Sequence, residues 1–205
     1  MFTKFSKWIL YISSYIPLYI IFIASNLFDI YDNYVDLAEK NTYDPLTLMI
    51  NSKINIILAS IFLIIAIIFF ILLLLLLRIA GKSSEFQDMY EIKKNNKAIN
   101  EYVLVYILPF ITVQTNNYRE LTIFFIIFFL VGVLAVKNDL VYINPVLYIM
   151  KYNVYTFKEN KNSLEESVLL SKYTILEINQ NRINGTEKIN MRASTLSNGV
   201  YYIKK

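Results

Sequence analysis

The sequence predicts an α-helical integral membrane protein with four transmembrane helices, followed by a small cytoplasmic β-rich C-terminal domain. Three observations predict it. Apolar residues make up 56% of the 205 positions and are gathered into blocks. Lys and Arg are alternately abundant and scarce in the polar segments between those blocks. From Tyr152 onward, long apolar runs give way to short alternating runs separated by turn dipeptides.

A bilayer core of about 30 Å needs roughly 20 apolar residues of helix. Trp8 to Phe28 and Ile54 to Leu77 reach that length without an ionisable side chain, and the second ends in the run Leu72 to Leu77 before Arg78. An amphipathic helix of a soluble core would keep a polar face there. Tyr102 to Val113 and Leu121 to Val136 are shorter; extending the first to 98–115 gives about 27 Å of helix, enough to span with modest mismatch. The expected spans are therefore about 8–28, 54–79, 98–115 and 121–137, with a re-entrant hairpin as the alternative for the last two. Lys4 and Lys7 ahead of the first block, with the small pair Ala24-Ser25 near its end, resemble a secretory leader. The block is longer than a leader's core, however, so a retained anchor is expected.

The charges orient the chain. The N-terminal tail carries Lys4 and Lys7. The segment 29–53 holds Lys40 and Lys53 against Asp29, Asp32, Asp36, Glu39 and Asp44. The segment 80–97, with Arg78 just before it, contains Lys82, Lys93, Lys94 and Lys97, whereas Gln114 to Glu120 has Arg119 alone and ten basic residues follow from Lys137 to the end. Basic segments stay in the cytoplasm, so both ends are expected there, in a bacterial inner membrane.

Within the spans, Ser13, Ser14, Pro17, Pro109 and Gly132 are candidates for kinking or close helix packing. Asp29, Asp32 and Asp36 would share one face of a continuing helix. A calcium site would want more oxygen ligands and a glycine turn, so a solvated outer face is the plainer expectation. The stretch Ser83 to Glu101 reads as a cytoplasmic helix with Phe86, Met89 and Tyr90 on one side. Its Lys93, Lys94 and Lys97 are candidate contacts for anionic lipid or a partner, although topology alone calls for the same charges. Residues 140–151 are too few to cross again. Asn144-Pro145 is a good helix start, and Tyr142, Asn144, Pro145 and Tyr148 suit an interfacial anchor. In 152–205, Asn153 to Phe157 alternates, Ser167 to Ile178 is β-rich, and Asn184-Gly185 and Asn198-Gly199 are turn dipeptides, the second leading into a last strand to Ile203. A domain this small is expected to dock on the membrane region or on another subunit.

The chain has no cysteine and no histidine. Thiolate nucleophiles, imidazole bases and most zinc or copper sites are thereby excluded. The four apolar blocks Trp8 to Phe28, Ile54 to Leu77, Tyr102 to Val113 and Leu121 to Val136 contain no Asp, Glu, Lys or Arg, which argues against a proton-coupled transporter. Ser13 and Ser14 have nothing nearby in sequence to activate them as nucleophiles. An enzyme is not expected, and neither is a cofactor or a metal. A pI near 9 could suggest nucleic acid. The basic residues are spread along the polar segments, though, so direct nucleic-acid binding is not expected.

With Ser13-Ser-Tyr-Ile-Pro-Leu-Tyr19 and Tyr142-Ile-Asn-Pro-Val-Leu-Tyr148, the layout resembles the KwaA family, the membrane component of the Kiwa anti-phage defence system. The resemblance is one of layout over most of the chain. It implies a homo-oligomeric membrane sensor that recruits a cytoplasmic DNA-binding effector, KwaB, and it carries no catalytic motif onto these positions. The function expected is therefore a sensor or scaffold subunit contacting membrane lipids and a cytoplasmic partner. A small oligomeric channel or pore-forming effector and a bacteriocin-immunity-type membrane protein are the alternatives.

Overall fold

The structure is a computed structural model and describes residues 4–39, 44–95, 118–182 and 188–204. In chain order the helices are α1 (Lys4–Ser14), α2 (Ile16–Glu39), α3 (Pro45–Asn51) and α4 (Lys53–Ala80), followed by strand β1 (Glu85–Lys94). Then come α5 (Tyr118–Lys137), a 3-10 turn (Leu140–Tyr142) and α6 (Pro145–Ile149). The chain ends with β2 (Asn153–Lys158), β3 (Ser167–Ser171), α7 (Ile175–Gln180), β4 (Lys188–Ser197) and β5 (Val200–Ile203).

Lys53–Ala80 and Arg119–Lys137 are long and apolar enough to cross a membrane. The pair α1 and α2 makes a third if it counts as one span bent by 43° at the break. The bend falls where the sequence places a kink. Pro17, at the second position of α2, has no N–H to give to the preceding turn. At the break the Ile12 carbonyl accepts the Tyr15 N–H at 3.2 Å and the Tyr19 hydroxyl at 3.4 Å. The third expected span, 98–115, lies outside the described residues, as do Lys97, Pro109 and the Asn184-Gly185 turn.

Helices α4 and α5 both run antiparallel to α1 and α2. Asn33 at the far end of α2 donates to Ser52 at the head of α4 at 3.1 Å. Midway, Phe62 packs between Tyr19 and Phe22, at 6.2 and 5.0 Å between rings. Phe124 meets Phe22 at 5.3 Å, Phe128 meets Tyr15 at 4.7 Å, and Lys7 pairs with Asp139 at 2.5 Å beyond the end of α5. Ala59 and Ala66 on the buried stripe of α4 keep the backbones close. Its isoleucines, such as Ile57, Ile64 and Ile68, point outward as a lipid-facing side chain would.

The β-rich region is a closed five-stranded barrel in the order β1-β2-β3-β5-β4, antiparallel except for β3 with β5. It is not confined to 152–205, because its first strand comes from residues 85–94. The helix expected over Ser83 to Glu101 is thus a strand in its described part. Pairing with β4 (Phe86 opposite Arg192, Asp88 opposite Asn190) and with β2 supplies a ladder that local propensity does not reveal. Strand geometry sends Met89 into the barrel and Phe86 out, and a register shift with Glu91 at φ 51° bends the strand's end. The β-rich reading of Ser167 to Ile178 holds only to Ser171. Beyond it a capping box between Thr174 and Glu177 starts α7. The described residues of segment 29–53 are likewise mostly helical, with α2 running on to Glu39 and α3 capped by Asp44.

Candidate functional site

Most of the sequence-predicted residues converge on the joint where α1, α5, α6 and the barrel meet. Asn144 is the hinge pin. Its Oδ1 accepts the backbone N–H groups of Val146 and Leu147 at 2.9 and 3.4 Å, starting α6 with Pro145 at its first position. Its Nδ2 lies 3.0 Å from the Leu10 carbonyl and 2.9 Å from the Ser13 hydroxyl of α1, and both Asn144 and Ser13 are buried. Ser13 and Ser14 donate back to the carbonyls of Leu10 and Tyr11 just before the break. Both hydroxyls thus bond carbonyls of α1 one turn before the break, and that of Ser13 also receives Asn144.

Gly132 completes the contact of α1 with α5. A Cβ there would lie 2.7 Å from the Tyr11 ring and 2.8 Å from the Trp8 ring. Tyr11 in turn donates to the Phe128 carbonyl at 2.6 Å and lies 3.1 Å from the Tyr15 hydroxyl. The Tyr11 contact and the Lys7–Asp139 pair were not read from the sequence. A Tyr in a apolar run and a charge flanking a span carry no pattern that names a partner over a hundred residues away.

The barrel is clamped to the same joint. The Ser194 hydroxyl donates to the Ala80 carbonyl at the end of α4 at 2.5 Å. The side chains of Val168, Leu170, Val200 and Tyr202 belong to the core shared with the helices, while Tyr155, Leu169 and Ile203 fill the barrel itself. This two-sided burial explains why every residue of β3 is buried. Five-stranded OB-type barrels take ligands on the face of their second and third strands. Here much of that face is covered by the helices. Tyr142, Leu147, Tyr148, Tyr152, Val154 and Leu170 line a small apolar cavity of about 90 Å³ between α6 and the barrel. The β-domain packs on the helices through this shared core, and Tyr148 is exposed beside it.

The groups whose titration is shifted sit on the barrel, Asp88 and Tyr201 away from the joint and Tyr202 in the core shared with the helices. Asp88 accepts from Lys188 and Asn190, which holds its carboxyl below the usual value. Burial first, then the hydrogen bond to Glu159, pushes Tyr201 up to about 12. Burial likewise raises Tyr202, whose hydroxyl meets that of Tyr152 at 3.1 Å. Lys93 and Lys94 are exposed at the end of β1, where Lys93 pairs with Glu91 at 3.9 Å.

A family model for anti-phage protein KwaA matches residues 6–202. The chain belongs to the KwaA family. A role in anti-phage defence follows, and the apolar helices are compatible with membrane association. No curated protein and no solved structure matched. The match covers α1 through β5, so the bent first helix pair, the joint and the barrel all belong to the family's extent.

Proposed function

We propose that this KwaA-family chain is the membrane-embedded sensor or scaffold subunit of its defence system, and not an enzyme. In this reading a change in the membrane helices on infection is passed to the barrel, which recruits or regulates a cytoplasmic DNA-binding effector. One observation carries it. The barrel is threaded into the bundle at two places, since β1 follows α4 and β2 follows α5 and α6; Asn144 bonds the second connection to α1, and Ser194 on β4 bonds the barrel to the end of α4. Helix movement cannot occur there without moving strands.

The same reading has four crossings with both ends in the cytoplasm. Asn95 bonds to Val154 at the barrel, whereas Tyr118 begins α5 at the opposite end of the bundle, so the chain between them starts and finishes at opposite ends. Lys93 and Lys94 then lie on the cytoplasmic side, where anionic lipid or a partner can meet them. The outward apolar faces of α4 and α5 are available for lipid and for further copies of the chain in a homo-oligomer.

Affinity purification of the full chain in mild detergent, before and after phage challenge, tests the proposal. A DNA-binding partner should co-purify and be lost when the exposed face bearing Lys93 and Lys94 is reversed to glutamate. Isolation of the chain alone under both conditions would sink the scaffold reading.

A further inference from the structure

The cavity of about 90 Å³ between α6 and the barrel is open on one side, and its wall is almost wholly apolar. The polar side chains on that wall are already committed. The Asn144 oxygen accepts two backbone N–H groups of α6, and its nitrogen donates to Leu10 and Ser13. The Tyr152 hydroxyl meets that of Tyr202 at 3.1 Å. A buried water needs two to four polar partners, so the space suits hydrocarbon instead. Smaller than the cavity of about 150 Å³ that holds a benzene, it seats only a few carbons of a chain.

Its mouth lies where the bundle meets the barrel. Helix α6 packs against α1 and α2, and Asn144 reaches Leu10 and Ser13, which stand beyond Lys7 inside the first apolar block. Tyr148 and Ile149 on the cavity wall are both exposed. An exposed tyrosine beside an exposed isoleucine suits the level of the bilayer at which hydrocarbon gives way to headgroups.

Two lysines flank that wall. Lys172 carries its ammonium 4.7 Å from the centre of the Tyr152 ring. Lys151 precedes Tyr152 at φ 65°. The turn that ends α6 closes through the Tyr152 N–H on the Leu147 carbonyl and the Lys151 N–H on the Tyr148 carbonyl, both at 2.9 Å. Glycine is the usual residue at that left-handed position, because a side chain is strained there. Folding alone therefore gives no reason for a lysine at 151. Both lysines are exposed, and among the described residues neither forms an ion pair.

We propose that the cavity seats part of one acyl chain of an anionic phospholipid whose headgroup phosphate is held by Lys151 and Lys172. The apolar wall selects hydrocarbon and the two cations select a negative headgroup. A zwitterionic lipid satisfies only the first, and an apolar side chain of a partner protein would leave the lysines unused. The site rests on the membrane-crossing reading above. A lipid held there touches α6, β2 and β3 together, and so stiffens the joint through which the helices act on the barrel.

The test places the full chain in nanodiscs with phosphatidylglycerol or phosphatidylcholine carrying a diazirine in the upper half of one acyl chain, and maps the cross-links by peptide. Phosphatidylglycerol should label residues 142–154 about fivefold or more over phosphatidylcholine, since each lysine at a bilayer surface favours anionic lipid by about that factor. Lys151→Gly combined with Lys172→Gln should remove the preference. Lys151→Gly by itself should not lower the unfolding temperature in detergent, which separates lost binding from lost folding. Val154→Phe, which fills the cavity, should clear the joint of label from both lipids while α4 stays labelled. A labelled α4 with an unlabelled joint overturns the site and leaves the membrane reading standing, whereas no label on either overturns both. Equal labelling of the joint by the two lipids also overturns the proposal, as does a preference that the double lysine variant keeps. That variant decides alone if Val154→Phe does not fold.

Discussion

The amide of Asn144 reaches the hydroxyl of Ser13 at 2.9 Å across 131 positions of sequence. One side chain thereby begins a short helix with its oxygen and fastens that helix to α1 with its nitrogen. The joint that couples barrel to bundle depends on an amide and cannot be made by an isosteric acid or by an alkyl group.

Asn144→Ala should therefore lose the cap and strand the Ser13 side of the contact, for a total of about 2–3 kcal/mol. Asn144→Asp keeps the cap acceptor but offers no donor and faces the Leu10 carbonyl with a charge, so it should be no milder. Thermal unfolding in detergent measures the loss, and limited proteolysis between α5 and β2 should find the connection newly cut. Equal stability of Asn144→Asp and wild type would contradict this account.

Gly132 is replaced by larger residues at a cost that the rings of Tyr11 and Trp8 decide. Alanine normally gains about 1 kcal/mol over glycine inside a helix. Here its Cβ meets two aromatic rings at 2.7 and 2.8 Å, and Trp8 is itself stacked on Phe129 at 6.1 Å, so neither ring can yield easily. Overpacking of about 1–3 kcal/mol should win, making Gly132→Ala neutral to destabilising and Gly132→Val clearly destabilising. Val133→Leu, on the outward face, should stay within about 0.5 kcal/mol. The readout is the unfolding midpoint of each variant.

The kink, the glycine contact and the Asn144-Pro145 helix start were legible because each rests on a local rule: a missing N–H, a missing Cβ, a capping side chain. Strand β1 was not. Phe86, Met89 and Tyr90 fit a helix face as well as a strand, and the partners that decide it, Ile189 to Ala193 and Thr156 to Lys158, are supplied by the far end of the chain. The polar meeting of α2 with α4 was half visible. The carboxylates of Asp29 and Asp32 stand out in the sequence, but Asn55 becomes their neighbour only when α4 folds back along α2. Helix α7 could have been read from Thr174 and Glu177, whose spacing is that of a capping box.

Alkali should loosen the barrel before the bundle. Tyr201 has its pKa raised from 10.0 to about 12, so above pH 10 the unfolded chain gives up a proton that the folded barrel keeps. Its contribution is full below pH 10 and is lost as pH rises toward about 12. Tyr155 and Tyr202 are shifted in the same direction. Tyr201→Phe should therefore flatten the decline of stability across that window without abolishing it. Unfolding midpoints followed alongside tyrosinate absorbance check this, and identical slopes for both proteins would count against it. At the acid end, Asp88 acts with the opposite sign: its contribution is present above the ordinary carboxylate value of 3.8 and lost as pH falls below it.

The absence of cysteine lets single introduced thiols report the topology without background. Leu46, on α3, is 66% exposed at the end of the bundle away from the barrel, and Leu164, in the β2–β3 connection, is 99% exposed on the barrel. If the bundle crosses the membrane with the barrel inside, Leu46→Cys reacts with an impermeant maleimide in intact cells, and Leu164→Cys reacts only after permeabilisation. Asn116→Cys should then behave like Leu46→Cys, because α5 begins at the same end as α3 and runs toward the barrel. Labelling of Leu164→Cys in intact cells would reverse the orientation, and protection of Asn116→Cys under both conditions would replace the four crossings with a re-entrant hairpin.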